Sequence, residues 1–212
     1  MGPDLFVAII TVVFSLAALL LVFSTICLIR GGVLYLGSPR AVVRAMLTMA
    51  AIQPGEKVYD LGCGDGRLLI PAVQKFRAIA TGIDLSSALL ALAWLRCRLW
   101  RTPVRLIRKN LLSVDISEAD VVFLYLMPEI IEKLQERLKR LKPGSRVICH
   151  QFGLAGWTID LETDVHCWIE STRLIRYLVG APLCDVPILP IPSPPPQDNR
   201  SRWPDSKITS FY

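Results

Sequence analysis

At 212 residues the chain has room for one domain of ordinary size plus an appendage. Its net charge of +6 is modest, much of it gathered in Arg96, Arg98, Arg101, Arg105, Arg108 and Lys109. No aromatic interleaving of the nucleic-acid kind accompanies that cluster, so no nucleic-acid partner is expected, and either a solvated face or one turned toward anionic lipid or an acidic partner fits it. Six cysteines (Cys27, Cys63, Cys97, Cys149, Cys167 and Cys184) form no C-x-x-C pair, and there are only two histidines, His150 and His166; both counts argue against a disulfide framework and a metal site.

In chain order, residues 1–4 form a short tail and residues 5–29 carry no charge at all. At about 1.5 Å per residue such a stretch spans a hydrocarbon core of ~30 Å, and a single transmembrane helix is expected there. A cleaved signal peptide is the alternative; it wants a basic start and a shorter apolar run, and Met1-Gly2-Pro3-Asp4 holds an acid instead. Arg30, Arg40 and Arg44 follow the stretch and no Lys or Arg precedes it. The positive-inside tendency therefore predicts a single-pass protein in contact with the lipid bilayer, its C-terminal domain on the cytoplasmic side.

Residues 30–37 read as a linker, and residues 38–181 as the folded domain. Ser38-Pro39 resembles the N-cap and first position of a helix running to about Ile52, closed by Pro54-Gly55. A short apolar strand, Lys57 to Leu61, leads into Gly62-Cys63-Gly64-Asp65-Gly66 and a helix from Arg67 to Phe76. A second strand from Ala78 ends at Asp84, and Ser86 caps a long helix to about Trp100. Strand three is Val104 to Ile107, and strand four, Asp120 to Tyr125, is a nearly continuous apolar run of the buried parallel type.

Pro128 opens a helix whose Ile130, Ile131, Leu134, Leu138 and Leu141 recur at helical spacing, until Lys142-Pro143-Gly144 stops it. Strand five is Arg146 to Gln151; Val165 to Glu170 and Arg173 to Val179 then flank Ser171-Thr172 as a hairpin. Alternating strands and helices ending in a hairpin predict an α/β fold with a mostly parallel, seven-stranded Rossmann-like sheet and one antiparallel strand beside the fifth. From Pro182 to Tyr212 the sequence is proline-rich and polar, an extended or disordered tail that is either a recognition segment or inert.

The glycine turn carries the chemistry. Three glycines at alternate positions after a strand suit a backbone that must turn tightly and approach a ligand. A dinucleotide fingerprint needs a third glycine where Arg67 stands, and Asp65 would face its phosphate. D-x-G-x-G-x-G, with Asp84 about 20 residues on to take a ribose diol, instead resembles motif I of class I S-adenosylmethionine-dependent methyltransferases. That cofactor has no phosphate and carries cationic groups, so Asp60, Asp65 and Asp84 suit it.

On this reading Gly62, Cys63 and Gly64 offer backbone groups to the methionine moiety, and Asp60 orients them. Asn110 either holds adenine through both faces of its amide or stabilises a turn. Tyr125, Leu126 and Met127 floor the site near the transferred methyl, or simply pack at a strand end. His150, at the end of strand five, is a candidate base with an ordinary pKa near neutrality, or a satisfied structural histidine.

The stretches VYDLGCGDGRLLIPA, LYLMPEIIEKLQERL and LKPGSRVICHQFGLAGW, preceded by YLGSP, resemble bacterial relatives of a small group of membrane-anchored protein-lysine methyltransferases. The eukaryotic members of that group modify the adenine nucleotide translocase and the c subunit of ATP synthase. The resemblance covers roughly Tyr35 to Trp157 and implies that Asp60, Gly62, Gly64 and Asp84 bind cofactor. It also implies an acceptor channel walled by Tyr35 to Pro39 and Phe152 to Trp157, for which Met127 would be part of the floor read above. The chain departs from the family pattern at Gly37, Asn110 and Asp84, where proline, an acid and Glu are common. A protein lysine at the membrane is thus the expected acceptor, with a small hydrophobic or lipid acceptor, or a non-catalytic scaffold, as the rival readings.

Overall fold

The computed structural model describes residues 10–16, 18–19, 38–166 and 171–180. The chain divides into two units, Met1–Gly37 and Ser38–Tyr212. In the first, residues 10–16 and 18–19 are helical. Among the described residues no helix is long and apolar enough to cross a membrane, and most of the expected span 5–29 lies outside them. The linker, including Tyr35, and the tail 182–212 also lie outside the described residues.

The second unit is built on seven strands: β1 (Lys57–Leu61), β2 (Ile79–Asp84), β3 (Arg105–Arg108), β4 (Val121–Leu124), β5 (Arg146–His150), β6 (Leu161–His166) and β7 (Ser171–Leu178). Their order across the sheet is β3-β2-β1-β4-β5-β7-β6, and only β7 runs against the rest. This is the expected α/β arrangement, with the last strand inserted beside the fifth. All four residues of β4 are buried, which is why Val121-Val122-Phe123-Leu124 reads as an unbroken apolar run: both of its faces are covered.

Four helices cover the sheet: α1 (Arg40–Met49), α2 (Leu69–Phe76), α3 (Ser87–Leu99) and α4 (Pro128–Leu138). On one side, Val42, Val43, Met46 and Leu47 of α1 pack with Ala72 of α2 on Val58, Phe123 and Ile148. On the other, Ile131, Leu134 and Leu138 of α4 pack on Leu61, Val122, Leu124 and Val147. Pro128 takes the first turn of α4, where its missing N–H costs nothing. Helix α3 approaches the glycine turn closely, since a Cβ on Gly66 would lie 3.1 Å from Cβ of Ala93. Only small residues allow that approach.

Two boundaries differ from expectation for physical reasons. Pro39, not Ser38, holds the N-cap position of α1 and no side chain caps it; the Ser38 hydroxyl lies 3.4 Å from Nδ1 of His150 instead. The terminal hairpin begins earlier, at Leu161, and Ser171-Thr172, expected to be its connection, are already paired in β7 with His166 and Val165. Charged residues on the outward positions of β6 conceal the strand in the sequence: Glu162, Asp164 and His166 are exposed, and Leu161, Thr163 and Val165 turn inward. Cross-strand ion pairs Arg173–Glu162 and Arg176–Asp160 then hold β6 to β7.

Candidate active site

Open sheets of this type bind ligands beyond the carboxyl ends of their strands, where neighbouring connections leave the sheet on opposite sides. Here that switch point lies between β1 and β4, with β2 on the far side of β1. The glycine turn leaves β1 at this point, with Gly62 at φ +86°, Gly64 at +52° and Gly66 at +72°. Leu126, just after β4, lies over the turn: a Cβ on Gly62 would come within 2.9 Å of its Cδ2. Glycine at position 62 is therefore demanded by conformation and by space at once.

The turn is held to β2 by its amides. Gly62 and Cys63 donate to the carbonyl of Ile83 at 2.8 and 3.1 Å, and Gly64 donates to Oδ2 of Asp84 at 2.9 Å. This changes what the turn can offer. The three N–H groups expected to face a ligand are instead spent on the fold. Asp84 also receives the Ser86 amide on Oδ1 at 2.8 Å, which fixes its carboxylate at the tip of β2 while each oxygen keeps acceptor capacity.

Asp60 is buried at the end of β1, and no side chain among the described residues pairs with it. Burial, with the nearby carboxylates of Asp84 and Asp65 adding to it, pushes its pKa up to about 7. Such a group is stabilised by an incoming cation. Asp65 has a different fate. Arg67 grips both its oxygens through Nε and an Nη at 3.0 Å each, and Arg96 of α3 pairs with it as well. Arg67 in turn donates to the carbonyl of Ser38 at 2.9 Å. Asp65 thus ties together the turn, α3 and the entry to α1.

Asn110 caps the 3-10 turn Leu111–Ser113, its side-chain oxygen accepting from the Leu112 amide at 2.9 Å. The turn-stabilising alternative is what its carbonyl does here, and the residue is exposed. Cys63 is a buried thiol whose pKa is raised, by burial first, so it is no nucleophile.

Across the switch point, Tyr125 and His150 follow the register Leu124↔Cys149, and their rings lie 3.9 Å apart at 32°. His150 departs from the neutral-pKa expectation. Burial lowers it to about 4, and its Nε2 lies 2.8 Å from the Thr172 hydroxyl. An imidazole held between two hydroxyls and kept neutral is a weak proton acceptor. Met127 is half-exposed at the N-cap of α4, on the open side of the site.

Beyond β5 the chain turns at Gln151, held at φ +69° by donation of its amide to the Arg173 carbonyl at 2.7 Å. The Phe152–Trp157 loop is clamped from below. The buried Tyr177 hydroxyl accepts from the Leu154 amide at 2.9 Å, and its ring meets Trp157 edge-on at 6.1 Å. Phe152 and Trp157 pack, partly buried, against the core under α4. Sequence reading missed Tyr177, Thr172, Arg67 and Arg96 as contributors. The ion cluster has a local signal, an acid two residues before an arginine in a glycine turn, but no sequence signal points across to Arg96 or Tyr177.

The fold and the site's acids define an α/β methyltransferase. An RNA methyltransferase from Salinibacter ruber, solved with S-adenosylhomocysteine, superposes with a TM-score of 0.64 at 30% identity, over 71% of this chain and 98% of that one. Residues 60–161 match the ANTKMT methyltransferase domain. A protein-lysine N-methyltransferase of Saccharolobus islandicus is 40% identical over 69% of this chain and 93% of its own. The adenine nucleotide translocase lysine N-methyltransferase of Mus musculus is 34% identical over 74% of this chain and 70% of its own. The chain belongs to this family of protein-lysine methyltransferases.

Proposed function

We propose that this methyltransferase works at a membrane, tethered by residues 5–29 with its catalytic domain on the cytoplasmic side, and methylates a lysine of a membrane or membrane-associated protein. S-adenosylmethionine is the methyl donor. The observation that carries the site reading is Asp60: a buried acid with its pKa near 7 and no side-chain partner among the described residues, at the foot of the glycine turn, suits a cationic, phosphate-free ligand. The tether rests on the uncharged stretch and the arginines that follow it.

Gly62 and Gly64 would cradle the methionine end of the cofactor, Asp60 would balance its positive charge, and Asp84 would accept the ribose hydroxyls. When bound, the cofactor would supply an electrophilic methyl on a sulfonium; the acceptor's neutral ε-amine would form its N–CH₃ bond in line as the S–CH₃ bond breaks and S-adenosylhomocysteine leaves. The chain's part is to hold these groups collinear and dry. Tyr125, backed by His150, and the clamped Phe152–Trp157 loop would form the walls that align the lysine. His150, with its pKa near 4, supports Tyr125 and does not take the lysine's proton at neutral pH.

Membranes incubated with radiolabelled cofactor and the full chain test the acceptor. Label is expected in a protein band and, after digestion, on lysine. Label in the organic extract would replace the protein acceptor by a small hydrophobic one, and cofactor binding without any turnover would remove the catalytic reading.

A further inference from the structure

We infer that the outer face of α3 and the β3 edge form a second membrane contact, which lies flat on an anionic lipid surface. The face is apolar where a solvated helix should be polar. Leu85, Ala88, Leu92, Leu95 and Leu99 follow one another at steps of three and four residues, and all are exposed, Leu99 by 72% and Leu85 by 65%. Trp94 beside them is 57% exposed. The helix buries only its other side, through Ala93 and Cys97. Apolar residues on both sides leave it, apart from Ser87 and Arg98, without the polar outer face that water requires.

Charge decides what covers it. From Leu85 to Val114 there is no acidic residue, and Arg96, Arg98, Arg101, Arg105, Arg108 and Lys109 together match the chain's whole net charge of +6. Arg96 is committed to Asp65. The other five pair with no carboxylate among the described residues. Their places frame the stripe: Arg108 donates to the Leu85 carbonyl at one end, Arg98 stacks on Trp94 at 5.7 Å, and Arg101 follows Leu99 at the other end. A leucine and tryptophan stripe ringed by arginines, without a single acid, complements anionic headgroups over acyl chains. An acidic-residue-free rim complements a second copy of this basic face poorly. The contact does not depend on the catalytic reading, and it would set the site at a fixed height above the bilayer.

The test uses the full chain with vesicles of phosphatidylcholine alone or with phosphatidylglycerol, in each case with a brominated acyl chain that quenches tryptophan. Comparison of the wild type with Trp94→Phe isolates Trp94, whether or not residues 5–29 already hold the protein to the vesicle. Trp94 emission is expected to be quenched on the anionic vesicles and to recover at high salt. Arg98→Glu/Arg101→Glu/Arg105→Glu should reduce the quenching at least tenfold in apparent affinity while leaving S-adenosylhomocysteine binding unchanged. Absence of Trp94 quenching on anionic vesicles overturns the proposal, as does equal quenching on both vesicle types. A dimer in sedimentation that Leu92→Gln/Leu95→Gln disperses would assign the face to a second copy and overturn it too.

Discussion

Asp60 shows how one buried carboxylate sets both stability and ligand choice. Its pKa near 7 means that between about pH 4 and pH 7 the native state keeps a proton the unfolded chain has released. The ligand-free fold therefore loses stability as pH rises through that window, and Asp60→Asn should flatten that loss in urea titrations across it. A cation in the site reverses the preference. Binding of S-adenosylmethionine at pH 6.5 should release a proton, visible as a dependence of the calorimetric enthalpy on the buffer's ionisation heat. S-adenosylhomocysteine, lacking the sulfonium charge, should release less. Equal release by both ligands, or none, would detach Asp60 from the cofactor.

Gly62 and Asp84 complete the residue-scale picture. A left-handed backbone at a side-chain-bearing residue costs about 1–2 kcal/mol, and at position 62 a Cβ also meets Leu126. Gly62→Ala should weaken cofactor affinity about tenfold, the equivalent of ~1.4 kcal/mol, and lower the melting temperature. Asp60, Gly62, Gly64 and Asp84 are legible in sequence because their chemistry is local: an acid, a turn and a second acid at fixed offsets. The destination of the turn's amides is not, because Ile83 meets them only once β1 and β2 are paired.

At the scale of elements, two supports hold the site from a distance. Asp65 joins the turn to α3 through Arg96 and to Ser38 through Arg67. Asp65→Asn leaves two guanidiniums facing each other, and because both are about a third exposed the cost should be about 2 kcal/mol. Tyr177→Phe removes the acceptor for a buried amide, at about 1–2 kcal/mol. If the Phe152–Trp157 loop walls the acceptor channel, that variant should raise KM for the protein acceptor and leave cofactor affinity unchanged in calorimetry. His150 adds a pH signature of opposite sign to Asp60. Because its folded pKa is depressed, the stability it contributes is lost as pH falls from about 6.5 toward 4, and His150→Gln should remove that loss. The sequence showed these helices and central strands to within a few residues, since each has a cap, a stop or an apolar run. It hid β6, whose outward face is charged at every other position, and it misplaced the hairpin's connection accordingly.

For the whole molecule, the order β3-β2-β1-β4-β5-β7-β6 brings the ends of β1, β2, β4 and β5 to one edge of the sheet. Glycines, acids and aromatics that are about 90 residues apart in sequence meet there. That architecture was foreseeable from the alternation of elements, because a buried parallel sheet and its crossover helices leave periodic marks along the chain. The outer face of α3 was not. Only the packed structure shows that Ala93 and Cys97 fill the core while Leu92, Trp94, Leu95 and Leu99 stay exposed.

Local chemistry is written along the chain: the glycine turn, its acids, the helices with their stops and the apolar central strand. How those groups are spent was settled by packing. It gave Asp65 to two arginines, made His150 neutral between two hydroxyls and left Asp60 buried with no side-chain partner among the described residues. The reason is physical: propensity and pattern act between neighbours in the chain, whereas burial, charge pairing and desolvation depend on neighbours in space.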